Sequence, residues 1–284
     1  NEAWNRVRTP HARRAYDALV HRWHAAPEAP QAQLGVARLR ERQGSSLRAF
    51  REYQYAMEQF PGLLPHAEVV ERQFAIANLL RSELERGWFG FGREAGAEEV
   101  VALFRQVARN APSGPRAPDC LLLMGLTYEA EKRWEEALTP FESLAARFPD
   151  HELAATSLFH AAQCRVRLAE KNPRDEQRLR HALSSLTALL RDYPDHPDAE
   201  PIETWRAMLR TRLVESQFEQ AAFYDGIRGN PSAAAVAYAE FIRTFSAWPE
   251  ADAALRTARS RLEELEAQLP AAKPTPPSPV ETQP

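Results

Sequence analysis

Few residues in this chain have the types and spacing that chemistry needs. His21 and His24 share a predicted helix face, with Asp17 one turn earlier, so three metal ligands are conceivable. Nothing nearby in sequence completes such a set, and a solvated surface cluster accounts for the three as well. The carboxylate pairs Glu98–Glu99 and Glu135–Glu136 fall at predicted helix starts. Negative charge there complements the positive end of the helix dipole and needs no catalytic role. Cys120 and Cys164 fall on the first helices of successive predicted hairpins, about seven positions out of step. At about 1.5 Å per residue that is about 10 Å along the axis. A disulfide needs Cα atoms within about 7 Å, so two reduced, mostly buried thiols are expected. The glycines of GWFGFG follow a helix rather than a strand, so they do not make a nucleotide fingerprint, and no HExxH, Walker, GxSxG or CxxC pattern occurs. The sequence therefore offers no catalytic, cofactor or metal site, and the expectation is a non-enzymatic protein.

The elements that would position any surface are helical. Trp134, Ala137, Leu138, Phe141, Leu144, Ala145 and Phe148 recur at steps of three and four, one face of a helix that Pro149 stops. Pro140 inside this run predicts a kink or an early first turn. The pattern repeats. From Ala137, the offsets to Phe141, Phe148 and Pro149 recur as Ala182, Leu186, Tyr193, Pro194, as Ala49, Tyr53, Phe60, Pro61, and as Val100, Phe104, Ala111, Pro112. Ala15, Leu19, Ala26, Pro27 fit as well, and Ala234, Tyr238, Phe245 fit with the proline displaced to Pro249. A small residue, a large one a turn later and an aromatic before proline describe the second helix of a tetratricopeptide unit. The proline spacings start near that period of about 34 residues and lengthen. The predicted fold is all-α, a tetratricopeptide-like α-solenoid of five to six helical hairpins over residues 1–269, followed by a proline-rich disordered tail, residues 270–284.

Composition agrees. Eleven glycines in 284 residues and few β-branched clusters are an all-α signature. A net charge of −3 argues against a dedicated nucleic-acid or anionic-membrane surface, and no apolar run approaches the roughly 18–20 residues of a membrane span. Helices are expected over 10–26, 29–43, 46–60, 66–86, from 97, over 120–132, 134–148, 152–169, 175–192, 198–227, 232–245 and 251–269. Gly44 is expected as a helix-ending residue, Ser45 or Ser46 as a cap, Pro173 as a helix starter, and Gly125 with Ala137 at a close-packed seam.

What remains for function is surface. First helices of such hairpins line a groove suited to a segment of another protein, and Gln73, Asn78, Tyr128, Gln163 and Arg167 are its polar and aromatic candidates; ordinary hairpin packing is the competing reading. Trp88, Phe89 and Phe91 interleave with glycines between Gly87 and Gly96. They either fold over the third hairpin or anchor a partner or lipid surface.

The last third carries a resemblance. Leu209-Arg210-Thr211-Arg212-Leu213, then Glu219, Ala221–Ala222, Phe223–Tyr224, Arg228–Gly229 and the helix from Ala234 to Phe245, resembles the last unit of the BamD (YfiO-like) outer-membrane assembly lipoproteins. The helix ends FPDHELAA and YPDHPDAE are similar too. The resemblance implies a periplasmic, outer-membrane-associated scaffold of the β-barrel assembly machinery. Its partners would be the POTRA domains of BamA, through the C-terminal hairpins, and unfolded outer-membrane proteins, through the N-terminal ones. No nucleic acid or cofactor is implied. Membrane attachment would be only through a lipid anchor upstream of Asn1. The implied partner-facing residues are Tyr224, Arg228 and Arg243. Another periplasmic tetratricopeptide adaptor, of the Tol–Pal cell-division type, and a cytoplasmic protein-binding scaffold remain open as alternatives.

Overall fold

The computed structural model describes residues 26–86 and 95–268. Among them the chain is helical, with no strand: α1 Ala29–Arg42, α2 Ser46–Gln59, α3 His66–Glu85, α4 Ala97–Asn110, α5 Ala117–Ala130, α6 Trp134–Arg147, α7 Leu153–Lys171, α8 Glu176–Asp192, α9 Ala199–Gly226, α10 Pro231–Phe245 and α11 Asp252–Gln268, with one 3₁₀ turn at Pro249–Ala251. The helix expected over 10–26, with His21 and His24, the aromatics Trp88, Phe89 and Phe91, and the tail after Pro270 lie outside the described residues. The chain forms two compact units, Asn1–Cys164 and Arg165–Pro284.

Within the first unit α1–α2, α3–α4 and α5–α6 pair as hairpins, and α2 packs on α3 and α4 on α5; within the second, α9 packs on α8, α10 and α11, and α10 on α11. The repeat residues explain the pairing. Ala49, Val100, Ala137, Ala182 and Ala234 are all fully buried, and so are the large residues one turn on, Tyr53, Phe104, Phe141, Leu186 and Tyr238. Gly125 and Phe141 show why small residues are needed: a Cβ on Gly125 would overlap the Phe141 ring. Cys120 and Cys164 are buried thiols not joined by a disulfide, and burial pushes the Cys120 thiol up to about 12, which leaves it inert.

Four helices end alike. Phe60, Ala111, Phe148 and Tyr193 cap α2, α4, α6 and α8 with φ between −127° and −140°, each N–H donating to the carbonyl four residues back. Each precedes a proline, whose ring excludes the α region from the residue before it. The N–H groups of Leu63, Gly114, His151 and His196 then donate to those four cap carbonyls, so the chain reverses in the same manner each time. After two of these turns a histidine serves the next helix start. The Nδ1 of His151 accepts from the Leu153 N–H at 3.2 Å, and that of His196 from the Asp198 N–H at 3.1 Å. The repeated Pro-Asp-His is thus a structural connection.

Some expectations shift. The helix α6 runs without interruption through Pro140. The helix α5 begins at Ala117 rather than Cys120, because Pro118 sits in its first turn, where a missing N–H costs nothing. Ser45 occupies the N-cap of α2 without a side-chain bond. Pro173 lies in the turn before α8, and the working cap is Asp175, which accepts from the Arg178 N–H. Gly44 ends α1 as expected, with φ +73°; its N–H reaches Glu41 O and that of Ser45 reaches Arg40 O, a Schellman pair.

Candidate partner-binding surfaces

The groove candidates separate once their surroundings are known. Gln73 is fully buried and cannot line a groove. Its amide donates to Gln54 Oε1 at 3.0 Å, while the Asn110 amide donates to Gln73 Oε1 at 2.8 Å and to Gln54 Oε1 at 2.7 Å. This closed polar ring joins α2, α3 and α4. Tyr128 is buried as well; its hydroxyl donates to Glu98 at 3.4 Å, and the Arg133 guanidinium lies 4.7 Å over its ring. Arg133 also pairs with Glu136 in the first turn of its own helix and with Glu98, which ties one hairpin to the next. The same holds for Glu99, paired with Arg51 at 2.9 Å. Asn78 stands exposed on α3, beside the exposed Leu79. Gln163 is half-buried on α7, and Arg167, exposed on the same helix, pairs with Glu170 at 3.0 Å.

A histidine in the first unit has a structural role as well. The His160 Nδ1 lies 2.8 Å from Glu129 Oε2, and its ring stacks on Phe141 at 5.3 Å, which fastens α7 to α5 and α6. Among the described residues no cluster of histidine, cysteine and carboxylate could hold a metal ion, and no helix is long and apolar enough to cross a membrane.

The second unit carries three of the five exposed large hydrophobic side chains among the described residues, Phe223, Ile227 and Val236. At the end of α9, Phe223 is 40% and Ile227 80% exposed. Tyr224, half-buried, meets the Phe223 ring edge-on at 5.9 Å, and the exposed Arg228 guanidinium lies 5.7 Å from the Phe223 centroid. On the outer face of α10, Val236, Ala239, Glu240 and Arg243 fall at helical spacing, all exposed; Arg243 pairs loosely with Glu240 at 3.3 Å. Arg228 and Arg243 are not neighbours. Arg228 precedes α10 and Arg243 lies in its last turn; from Pro231 to Arg243 the helix rises about 18 Å at about 1.5 Å per residue.

The hairpin behind this surface is firmly built. Asn230 caps α10 by accepting from the Ala233 N–H at 3.0 Å, with Pro231 in the first turn. Phe218 packs edge-on against Phe241 at 5.6 Å and beside Tyr238 at 6.0 Å. The closing helix α11 is latched by Arg261, which donates to both Asp225 oxygens at 2.6 and 2.9 Å. That pairing, with the Tyr238 hydroxyl as a weaker donor, holds the Asp225 carboxyl below its ordinary value. The displaced proline is also accounted for. Trp248 meets Phe245 edge-on at 5.0 Å and lies 5.6 Å from the Arg210 guanidinium, which reaches Glu250 at 3.6 Å. These residues seal the end of α10 in place of a direct Phe-Pro stop.

Sequence reasoning named Tyr224, Arg228 and Arg243 and missed Ile227 and Val236. The signal was present: Glu215, Glu219, Phe223 and Ile227 fall at four-residue steps, so two apolar residues continue a charged stripe to the helix end.

The family model YfiO, described as outer membrane lipoprotein, matches residues 93–275, more than half the chain. The chain belongs to this family. The match runs from just before α4 to beyond α11 and takes in every element of the second unit described above. No curated protein sequence matches. Among solved structures, a tetratricopeptide repeat protein from Parabacteroides merdae is similar at 13% identity, over 89% of this chain and 91% of that one, with a TM-score of 0.31. The C-terminal part of a TPR repeat-containing protein from Cytophaga hutchinsonii is similar at 12% identity, over 92% of each chain, with a TM-score of 0.34. At these scores the description as tetratricopeptide-like hairpins rests on the helices themselves. As a YfiO family member of this fold, the protein is an interaction scaffold of the BamD type.

Proposed function

We propose that this scaffold works in the outer-membrane β-barrel assembly machinery, on the periplasmic side of the outer membrane. Its last hairpin docks on the POTRA region of a BamA-type subunit. The first helices of its N-terminal hairpins receive unfolded outer-membrane proteins. The reading is carried by the family match over residues 93–275, which includes the whole of the last hairpin. Physical features support it. The tip of α9 combines an exposed aromatic, an exposed aliphatic and the cation Arg228, the mixture that serves protein contacts. Arg243 on α10 adds a second exposed cation at the far end. On α3, Asn78 beside Leu79 offers a polar and an apolar contact for an incoming segment. The role is binding rather than catalysis.

The test is capture from a detergent-solubilised envelope of the source cells with this chain as bait. A POTRA-bearing barrel protein among the recovered partners is the expected result. Recovery of soluble cytoplasmic proteins alone would leave the chain as a scaffold for some other assembly.

A further inference from the structure

The tip of α9 has an inner side that is fully used and an outer side that is complementary to itself. Phe218 packs against Tyr238 and Phe241, Ala221 is fully buried, and Asp225 is held by Arg261. The far side of the same turns carries Glu215, Glu219, Phe223 and Ile227, all exposed and each one turn from the next. The tip is also held in shape. The Arg228 N–H donates to Phe223 O at 3.1 Å and the Asn230 N–H to Tyr224 O at 3.0 Å, with Gly229 at φ +55° between them. This ending sets the Arg228 guanidinium 5.7 Å from the Phe223 centroid. The surface is preformed, so little ordering is needed when something binds it.

Its charges have a two-fold pattern. Glu219 lies four residues before Phe223 and Arg228 five residues after it. Within one chain these two are about 14 Å apart along the axis at about 1.5 Å per residue, too far to pair. Two α9 helices laid antiparallel, with the symmetry axis beside Phe223, bring Glu219 of each copy opposite Arg228 of the other. Such a contact is isologous and closes on itself, because what one copy offers the other returns. The Phe223 rings meet at the centre. Each Ile227 lies one turn out, against the Phe223 ring and the Glu219 side-chain stem of the other copy. A parallel pairing is disfavoured, since it sets Glu219 against Glu219 and Arg228 against Arg228. The antiparallel one gives an apolar centre with a charged rim, the usual anatomy of a protein contact. From Glu215 to Arg228 it runs along about four turns. That is less than a permanent dimer buries, so the pair is weak and reversible.

We propose that two copies of this chain pair through α9, antiparallel and two-fold symmetric. Phe223 and Ile227 form the centre, and Glu219 of each copy binds Arg228 of the other. On the docking reading above, one tip cannot serve a second copy and a partner protein at once, so pairing keeps the tip covered until a partner displaces the copy.

Sedimentation equilibrium of the full chain alone, from the micromolar to the millimolar range, tests this. The expected result is a monomer–dimer equilibrium. Glu219→Arg and Arg228→Glu each set like charges opposite one another at both rim contacts, and each should lower the association constant on the order of tenfold. An equal mixture of the two variants should restore association, because every contact between them again joins opposite charges. Phe223→Ala/Ile227→Ala should abolish it. All four positions are exposed, and matching circular dichroism checks that the fold is kept. Monomer at every concentration would overturn the proposal. So would dimers that survive the double alanine change, association insensitive to the charge reversals, or a mixture no stronger than the single variants. No partner protein is present, so failure here leaves the docking reading standing, and failure of docking leaves the pairing standing.

Discussion

At the residue scale, two positions show how tightly the hairpins are specified. Lys132 sits between α5 and α6 with φ +57°, the left-handed region, and its N–H and that of Arg133 return to Glu129 O and Tyr128 O. This is the Schellman ending that Gly44 makes after α1, formed here without glycine. Left-handed backbone costs a non-glycine residue about 1 kcal/mol. Lys132→Gly should therefore stabilise the chain by about that much, seen as a higher urea midpoint at unchanged slope. The opposite sign is expected at Gly125. An alanine there gains helix propensity, but its methyl overlaps the fully buried Phe141 ring. Overpacking outweighs propensity, and a net loss of about 2 kcal/mol in urea unfolding is expected. Gly125 was legible because it stands at a predicted seam opposite Ala137. Lys132 was not, since nothing in a lysine announces a left-handed turn. Gln73 and Tyr128 misled for a related reason. Each has one partner on a neighbouring hairpin, Gln54 for the one and Glu98 for the other, beside Asn110 and Arg133 of its own hairpin, and a polar side chain satisfied that way reads in sequence like one facing solvent.

At the scale of elements, the proline-terminated second helices were the most legible feature. The residue before each proline is sterically barred from the α region, so the helix end is written into two adjacent residues. Starts were harder, because Pro118 and Pro140 are compatible with helix where a proline usually argues against it. The latch between α9 and α11 was not legible at all, since Asp225 and Arg261 are 36 residues apart. It carries a pH dependence. Arg261 holds the Asp225 carboxyl below the ordinary carboxylate value of about 3.9. A carboxylate with a lowered folded-state pKa contributes stability that is present above the unfolded value and is lost as pH falls through the folded one. Stability measured by thermal melting should therefore decline below about pH 4 in part through this pair. Asp225→Asn should lower the melting temperature at pH 7 and make the acid limb shallower. An acid limb identical to that of the parent chain would mean the latch contributes nothing there.

At the scale of the molecule, family and fold were readable because both lie in a repeated pattern and in a run of motif residues between Leu209 and Phe245. The open surface was readable only in part. The arginines stood out by type, whereas Ile227 and Val236 became candidates only through their exposure of 80% and 68%. The proposed docking surface is this last hairpin, with Arg228 at one end of α10 and Arg243 at the other. The most direct measurement is calorimetric titration of the full-length chain with the purified POTRA region of the BamA-type protein from the same cells, repeated with Arg228→Glu and Arg243→Glu. Saturable binding is predicted, weakened by each substitution while the circular dichroism spectrum stays unchanged. Absence of binding by the parent chain, or equal affinity in all three, would contradict the account.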